Sequence, residues 1–277
     1  MRADLPVDPR LLIAAEDAPA FTVLPGRLDS GLILVCDHAG NAFPEGYGTL
    51  EVSEGDLNRH IAYDIGAAAL TRLIAAELGG PAALTRFSRL LIDCNRGADD
   101  PTLIMRLADG TPVEGNRHLT QAERDKRIAL YYAPYHAAIA AMIDRALAHG
   151  IAPVLLSMHS YTPVWKGTPR PWHGAVLWDR DPRLAQPLLS HLRAEPGFVI
   201  GDNVPYHGGL LGDCMWRHGT ERGLAHALVE IRQDLIAEEA GQRQWAARLA
   251  RIMASILAGT EPGHDLRSQQ YYGSDAA

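Results

Sequence analysis

Short aliphatic runs that end abruptly in small and polar residues recur along this chain, with stretches of helical period between them. The clearest is Leu32–Cys36, followed at once by Asp37, His38, Ala39, Gly40 and Asn41. Five apolar residues without polar alternation are too few for a helix and predict a strand covered on both faces. Strands of the same kind are predicted at 82–85, at 90–92 ending in Asp93, Cys94, Asn95 and Arg96, at 153–158 ending in His159, at 175–178, and at 225–231. Helices fill the gaps. Ser53 caps one that carries Leu57, Ile61, Ile65 and Leu73 and stops at Gly79. Thr120 and Glu123 form a capping box for another that runs towards Gly150 and that Pro134 kinks or splits. Asp181 and Pro182 open a third, to about Ala194, and residues 239–258 form an amphipathic fourth. This alternation, free of internal repeats or linkers, predicts one α/β domain over residues 1–277 with a central, mostly parallel or mixed sheet flanked by helices. Residues 1–30 read as an irregular lead-in, 97–119 as a long loop, 201–223 as a glycine-rich lid or substrate wall, and 260–277 as a polar tail.

The chemistry sits where the strands end. Parallel strands open their carboxyl ends on one edge of a sheet, so His38 and His159 meet there if their strands are neighbours. A histidine at such a strand end holds a metal, moves a proton or caps a turn. Glu230 lies inside an apolar run, and a buried carboxylate is costly unless it is paired, ligated or catalytic. His60 and Asp64, four apart on the predicted helix, share one stripe and either pair with each other or face the site. Arg86, Arg89 and Arg96 crowd one short span beside Asn95, and guanidinium groups bind carboxylates bidentately. His136 is a weaker candidate on a helix face, and Trp172 and His173 precede a strand and support the fold. Composition narrows the partners. A net charge of -7 argues against nucleic acid or an anionic membrane as the main partner. No run approaches the ~18 apolar residues of a membrane span, and Asp4 and Asp8 interrupt any export signal. The three cysteines, Cys36, Cys94 and Cys214, lack CxxC spacing and fit the reduced thiols of a cytoplasmic protein rather than disulfides or metal ligands.

The segments DHAGN, RHIAYDIGA, SRLLIDCNRG, SMHSYTP, NVPYHGG and LVEIRQDL follow one another between about Val35 and Leu235. In that order they resemble the N-formylglutamate amidohydrolase family. The resemblance implies a Zn2+-dependent hydrolase related in architecture to the zinc carboxypeptidases and succinylglutamate desuccinylases, acting on a small anionic N-acyl amino acid. It makes His38 and His159 metal ligands, Glu230 the carboxylate that activates water, and Asn95 with Arg96 the pair that holds a substrate carboxylate. The carboxypeptidase relatives take a ligand from a glutamate three residues after the first histidine, where this chain has Asn41. Asp64 is the expected substitute, with His60 as its support or alternative. Arg86 or Arg89 is then expected at the oxyanion, and Arg86, Arg89 or Arg232, two residues beyond Glu230, at a second substrate carboxylate. The expected reaction is hydrolysis of N-formyl-L-glutamate to formate and glutamate. A zinc carboxypeptidase or deacylase for another N-acyl amino acid, and a non-catalytic small-anion-binding protein, are the alternatives.

Overall fold

The computed structural model describes residues 19–259 and 265–276. In chain order the elements are β1 (Phe21–Leu24), β2 (Leu32–Cys36), α1 (Glu54–Leu57), α2 (Ala67–Leu78), β3 (Ala82–Thr85), β4 (Leu107–Ala108) and β5 (Thr111–Pro112). They continue with α3 (Gln121–Arg127), α4 (Ala133–Ala148), β6 (Val154–Tyr161), β7 (Val164–Trp165), β8 (Thr168–Pro169) and β9 (Gly174–Leu177). The last are α5 (Pro182–Ala194), β10 (Ile200–Asp202), β11 (His226–Arg232) and α6 (Glu239–Leu257). Among the described residues seven strands form one mixed sheet in the order β1-β3-β2-β6-β11-β9-β10. Its centre is parallel: β3, β2, β6 and β11 run the same way, while β1 pairs antiparallel with β3 and β9 antiparallel with β11.

The single-domain α/β fold is therefore the one that the alternation of runs predicts, and β2 shows why. Leu32, Leu34 and Cys36 pack into a core with Leu70 and Ile74 of α2, Leu188 of α5 and Leu249 of α6. Ile33 and Val35 point the other way, against Ile139 and Met142 of α4. A strand whose two faces both meet helices has no polar side, so its sequence is continuously apolar. A smaller cluster of Leu50, Val52, Ile61 and Leu90 sits under the β2–α2 connection.

Three local expectations change. Residues 1–18 lie outside the described chain, but the rest of the lead-in is ordered: Phe21–Leu24 is an edge strand on β3. Residues 90–92 are a buried turn and not a strand. Leu90 and Leu91 pack into two different clusters, and Ser88 closes the turn by accepting from the Leu90 and Leu91 amides through its hydroxyl (3.2 Å) and carbonyl (2.9 Å). The helix expected from Ser53 to Gly79 is broken into α1 and α2. Between them the Asp64 amide donates to His38 O (2.9 Å) and Ala62 O accepts from Arg89 N (3.1 Å), so this backbone bonds to its neighbours and not to itself. Gly66 closes the break at φ 80, where a Cβ would lie 2.2 Å from Ile236 O. The expected split of the next helix is seen: a π-helical turn, Ile128–Tyr132, separates α3 from α4, and Pro134 falls in the first turn of α4.

The polar tail is also tied down over its described part, 265–276, and Arg183 holds it. This buried guanidinium donates to Asp181 (2.6 Å), to the carbonyls of Ser268 (2.8 Å) and Gly223 (3.0 Å), and lies over the Tyr272 ring at 5.0 Å. Asp181 in turn caps α5 through the Arg183 amide (3.0 Å). Removing one partner of a buried pair leaves the other charge uncompensated. Arg183→Ala is accordingly expected to lower the unfolding free energy by about 3 to 5 kcal/mol. A denaturant midpoint within experimental error of wild type would show that the clamp contributes nothing.

Candidate metal centre and active site

Because β2, β6 and β11 are adjacent and parallel, their carboxyl ends deliver His38, His159 and Glu230 to one edge of the sheet. β6 runs further than its apolar stretch suggests, to Tyr161, so His159 lies within the strand, directly opposite Glu230 of β11. The chain can turn sharply after His38 because Gly40 packs against the Arg86 backbone, where a Cβ would lie 2.2 Å from Arg86 O. Asp64 arrives from the broken connection before α2. The rings of His38 and His159 meet edge to face at 4.9 Å. Asp64 Oδ2 stands between them, 2.9 Å from His159 Nδ1 and 3.4 Å from His38 Nδ1.

The opposite ring nitrogens are held by other carboxylates. His38 Nε2 is 2.6 Å from Asp93 Oδ1, and His159 Nε2 is 3.2 Å from Asp37 Oδ2 and 3.0 Å from Ser157 Oγ. Tyr135 OH donates to Asp37 Oδ1 at 2.8 Å. Arg89 spans two of the acids, with Nη1 3.2 Å from Asp64 and Nη2 3.3 Å from Asp93. All of these carboxylates are buried. Burial alone would raise their pKa values, yet His159 pulls Asp37 down to about 2, and His38 with Arg89 holds Asp64 and Asp93 well below the usual range. Burial opposes the charge on His159 too, but its hydrogen bonds to Asp37 and Asp64 push its pKa up to about 10. Glu230 goes the other way: burial, reinforced by the nearby Asp64 charge and opposed by His159, raises it to about 7.

Two buried polar atoms here have no hydrogen-bond partner, His38 Nδ1 and Glu230 Oε2. The 3.4 Å approach of Asp64 to His38 Nδ1 is not aligned as a hydrogen bond. An orphaned imidazole nitrogen facing a second imidazole and a carboxylate, each ring fixed from behind by an acid, is a donor set suited to a metal. His38, Asp64 and His159 have ligand atoms within 4.8 Å of one another and could hold an ion. Glu230 stands beside this group, at the wall of a cavity of about 490 Å3.

The other expected residues divide. Asn95 and Arg96 line the cavity; Asn95 Oδ1 accepts from the Cys214 amide (3.2 Å), and Arg96 donates to Asn95 O (2.8 Å) and Thr102 Oγ1 (3.2 Å). His60 also faces the cavity, with Nε2 3.3 Å from Asp109 Oδ2 but not hydrogen-bonded to it, and it does not pair with Asp64. The two were expected on one helical stripe, and the break between α1 and α2 separates them. Arg86 reaches outward to Pro19 O (3.4 Å). Arg232 donates to Asp234 (2.8 Å) and the carbonyl of Arg170 (3.2 Å), outside the cavity lining. Asn41 donates to Leu57 O (2.9 Å) and so fastens α1. His173 accepts from the Val199 amide (2.9 Å), a fold contact as expected. Sequence reasoning passed over Asp37 and Asp93, although each stands at the end of an apolar run beside a residue that it did single out.

Comparison with known proteins agrees with this architecture. Residues 30–237 match the N-formylglutamate amidohydrolase family. The crystal structure of a gene product from Agrobacterium tumefaciens is similar at a TM-score of 0.81 and 32% identity, over 87% of this chain and 96% of that one. The crystal structure of N-formylglutamate amidohydrolase from Ralstonia eutropha is similar at a TM-score of 0.61 and 25% identity, over 87% of this chain and 98% of that one. No curated protein sequence matches. On the extent of the family match, the chain belongs to the N-formylglutamate amidohydrolase family.

Proposed function

We propose that this protein is a zinc-dependent amidohydrolase that cleaves N-formyl-L-glutamate to formate and glutamate. The observation that carries the reading is the meeting of His38, Asp64 and His159 beside a buried Glu230 with an unpartnered oxygen. Bound by those three residues, zinc supplies Lewis-acid polarisation of the amide carbonyl and a water whose pKa falls to roughly 7. Glu230, itself raised to about 7, is poised to take a proton from the attacking water and return it to the departing amine. Asp93 and Asp37 fix the ring orientations of His38 and His159, so the ligand nitrogens need no reorganisation. Arg89, already spanning Asp64 and Asp93, serves in this reading to position ligands and not to meet the oxyanion. Asn95 and Arg96 receive the substrate α-carboxylate at the cavity wall.

One observation favours a second reading. Arg86 and Arg232 stand outside the cavity lining, and Arg89 is engaged by two carboxylates. A second anchor for a glutamate side chain is thus not among the expected arginines, which suits an N-acyl amino acid with one carboxylate.

For the metal, His38→Ala and His159→Ala are each expected to lose about one equivalent of zinc relative to wild type. Elemental analysis of the folded proteins checks this, and full zinc retention in both would overturn the assignment. Glu230→Gln keeps the shape of the side chain but cannot accept the proton. Its turnover is expected to fall about 10²-fold or more with zinc content unchanged, and unaltered turnover in the zinc-loaded variant would remove Glu230 from the chemistry. Arg96→Ala is expected to lower kcat/KM about 30-fold or more, the loss of a charge-assisted anchor. Wild-type rates on N-formylglutamate and N-formylglutamine then separate the two readings. A similar preference of about 30-fold or more supports the first, and comparable rates select the second.

A further inference from the structure

Asp37 has a second neighbourhood. Besides Tyr135, Ser157 and His159 it has Cys214 nearby. Cys214 stands with His136 and His218 in a group whose candidate ligand atoms, the sulfur and one ring nitrogen from each histidine, lie within 4.8 Å of one another. All three residues are at least 95% buried, with exposures of 0%, 5% and 3%. They come from two parts of the chain. His136 projects from α4, whereas Cys214 and His218 are four residues apart at the helical turn that contains the π-helical stretch Trp216–Thr220, a spacing that brings side chains to one face.

A hydrogen bond between the histidines accounts for part of this arrangement. His136 Nδ1 is 2.9 Å from His218 Nε2, and the rings stack at 24°. His136 Nε2 is left over, buried and without a hydrogen-bond partner. Leaving such a group unsatisfied in a protein interior is unfavourable, and a bound ion is one way the deficit is met.

We propose that Cys214, His136 and His218 form a second metal site, for a thiophilic divalent cation of the zinc class. One thiolate with two imidazoles is a sulfur and nitrogen donor set that selects zinc over magnesium or calcium, which prefer oxygen. On binding, the Cys214 S–H bond breaks, its proton leaves to solvent and the sulfur lone pair forms the bond to the cation. The site ties α4 to the later part of the glycine-rich stretch 201–223, whose Asp213 and Met215 line the cavity. Its role is to brace that wall.

The test is a titration of metal-free, full-length protein with Co2+. Two equivalents are expected to bind, one of them giving a thiolate-to-cobalt charge-transfer absorption, which the His38, Asp64 and His159 group cannot produce because it holds no sulfur. The band should persist in His38→Ala and vanish in Cys214→Ser. His218→Gln, which keeps all three cysteines, should weaken cobalt binding at this site by about 10-fold or more. Circular dichroism establishes that each variant is folded. Absence of the band in folded wild type at saturating Co2+, or its survival in Cys214→Ser, overturns the proposal. Either result leaves the reading of the His38 centre untouched, since that ion is counted separately.

Discussion

Asp37, Asp64 and Asp93 are buried within one small volume, and that concentration of negative charge is the constraint on which the rest of the structure depends. Three carboxylates taken out of water repel one another and each loses several kcal/mol of solvation, so the interior must return as many opposing partners. It does so with two imidazoles and Arg89. His38 faces Asp93 and Asp64, His159 faces Asp37 and Asp64, and Arg89 joins Asp64 to Asp93. No member can move without stranding another. Such a network is a weak source of stability, but it fixes geometry, and geometry is what a metal centre requires.

The sheet order makes this possible. With β2 beside β6 and β6 beside β11, three parallel strands end at the same edge, and the residues just past or near those ends converge without any long loop to place them. Side chains held by central strands are positioned more tightly than side chains on loops. The remaining parts of the site come from connections. Asn95 and Arg96 follow a buried turn, and the cavity wall is built from the stretch around Tyr206 and Gly208, where Arg170 donates to Tyr206 OH at 2.9 Å and lies over the Trp165 and Tyr161 rings. Among the described residues no helix is long and apolar enough to cross a membrane.

Within this frame Glu230 is the exception. Its neighbours in the acidic cluster are all kept ionised by a cation or imidazole held against them, whereas Glu230 has an oxygen with no partner and a pKa raised to about 7. Carboxylates in one pocket whose environments push their pKa values apart are suited to different tasks, some to hold and one to exchange a proton.

The sequence by itself determined the class of fold and which polar residues end its central strands. Continuous apolar runs such as Leu32–Cys36 announce strands buried on both faces, and the polar residues that end them, His38, His159 and the enclosed Glu230, mark the edge where a site can form. These are local signals, legible because a five-residue run and its terminus carry their own physical cost. What only tertiary structure decided is which partners those residues meet. Residues 90–92 become a turn because Leu90 and Leu91 are drawn into separate cores, and the helix from Ser53 breaks because its backbone finds hydrogen bonds to His38 and Arg89 that a continuous helix would forgo. That break carries Asp64 to the edge where His38 and His159 meet, while His60 faces Asp109. Arg86 and Arg232, similar to Arg96 in sequence context, are taken by Pro19 O and by Asp234. Long-range pairing of charges depends on distances between segments far apart in the chain, and no periodicity along the sequence encodes those distances.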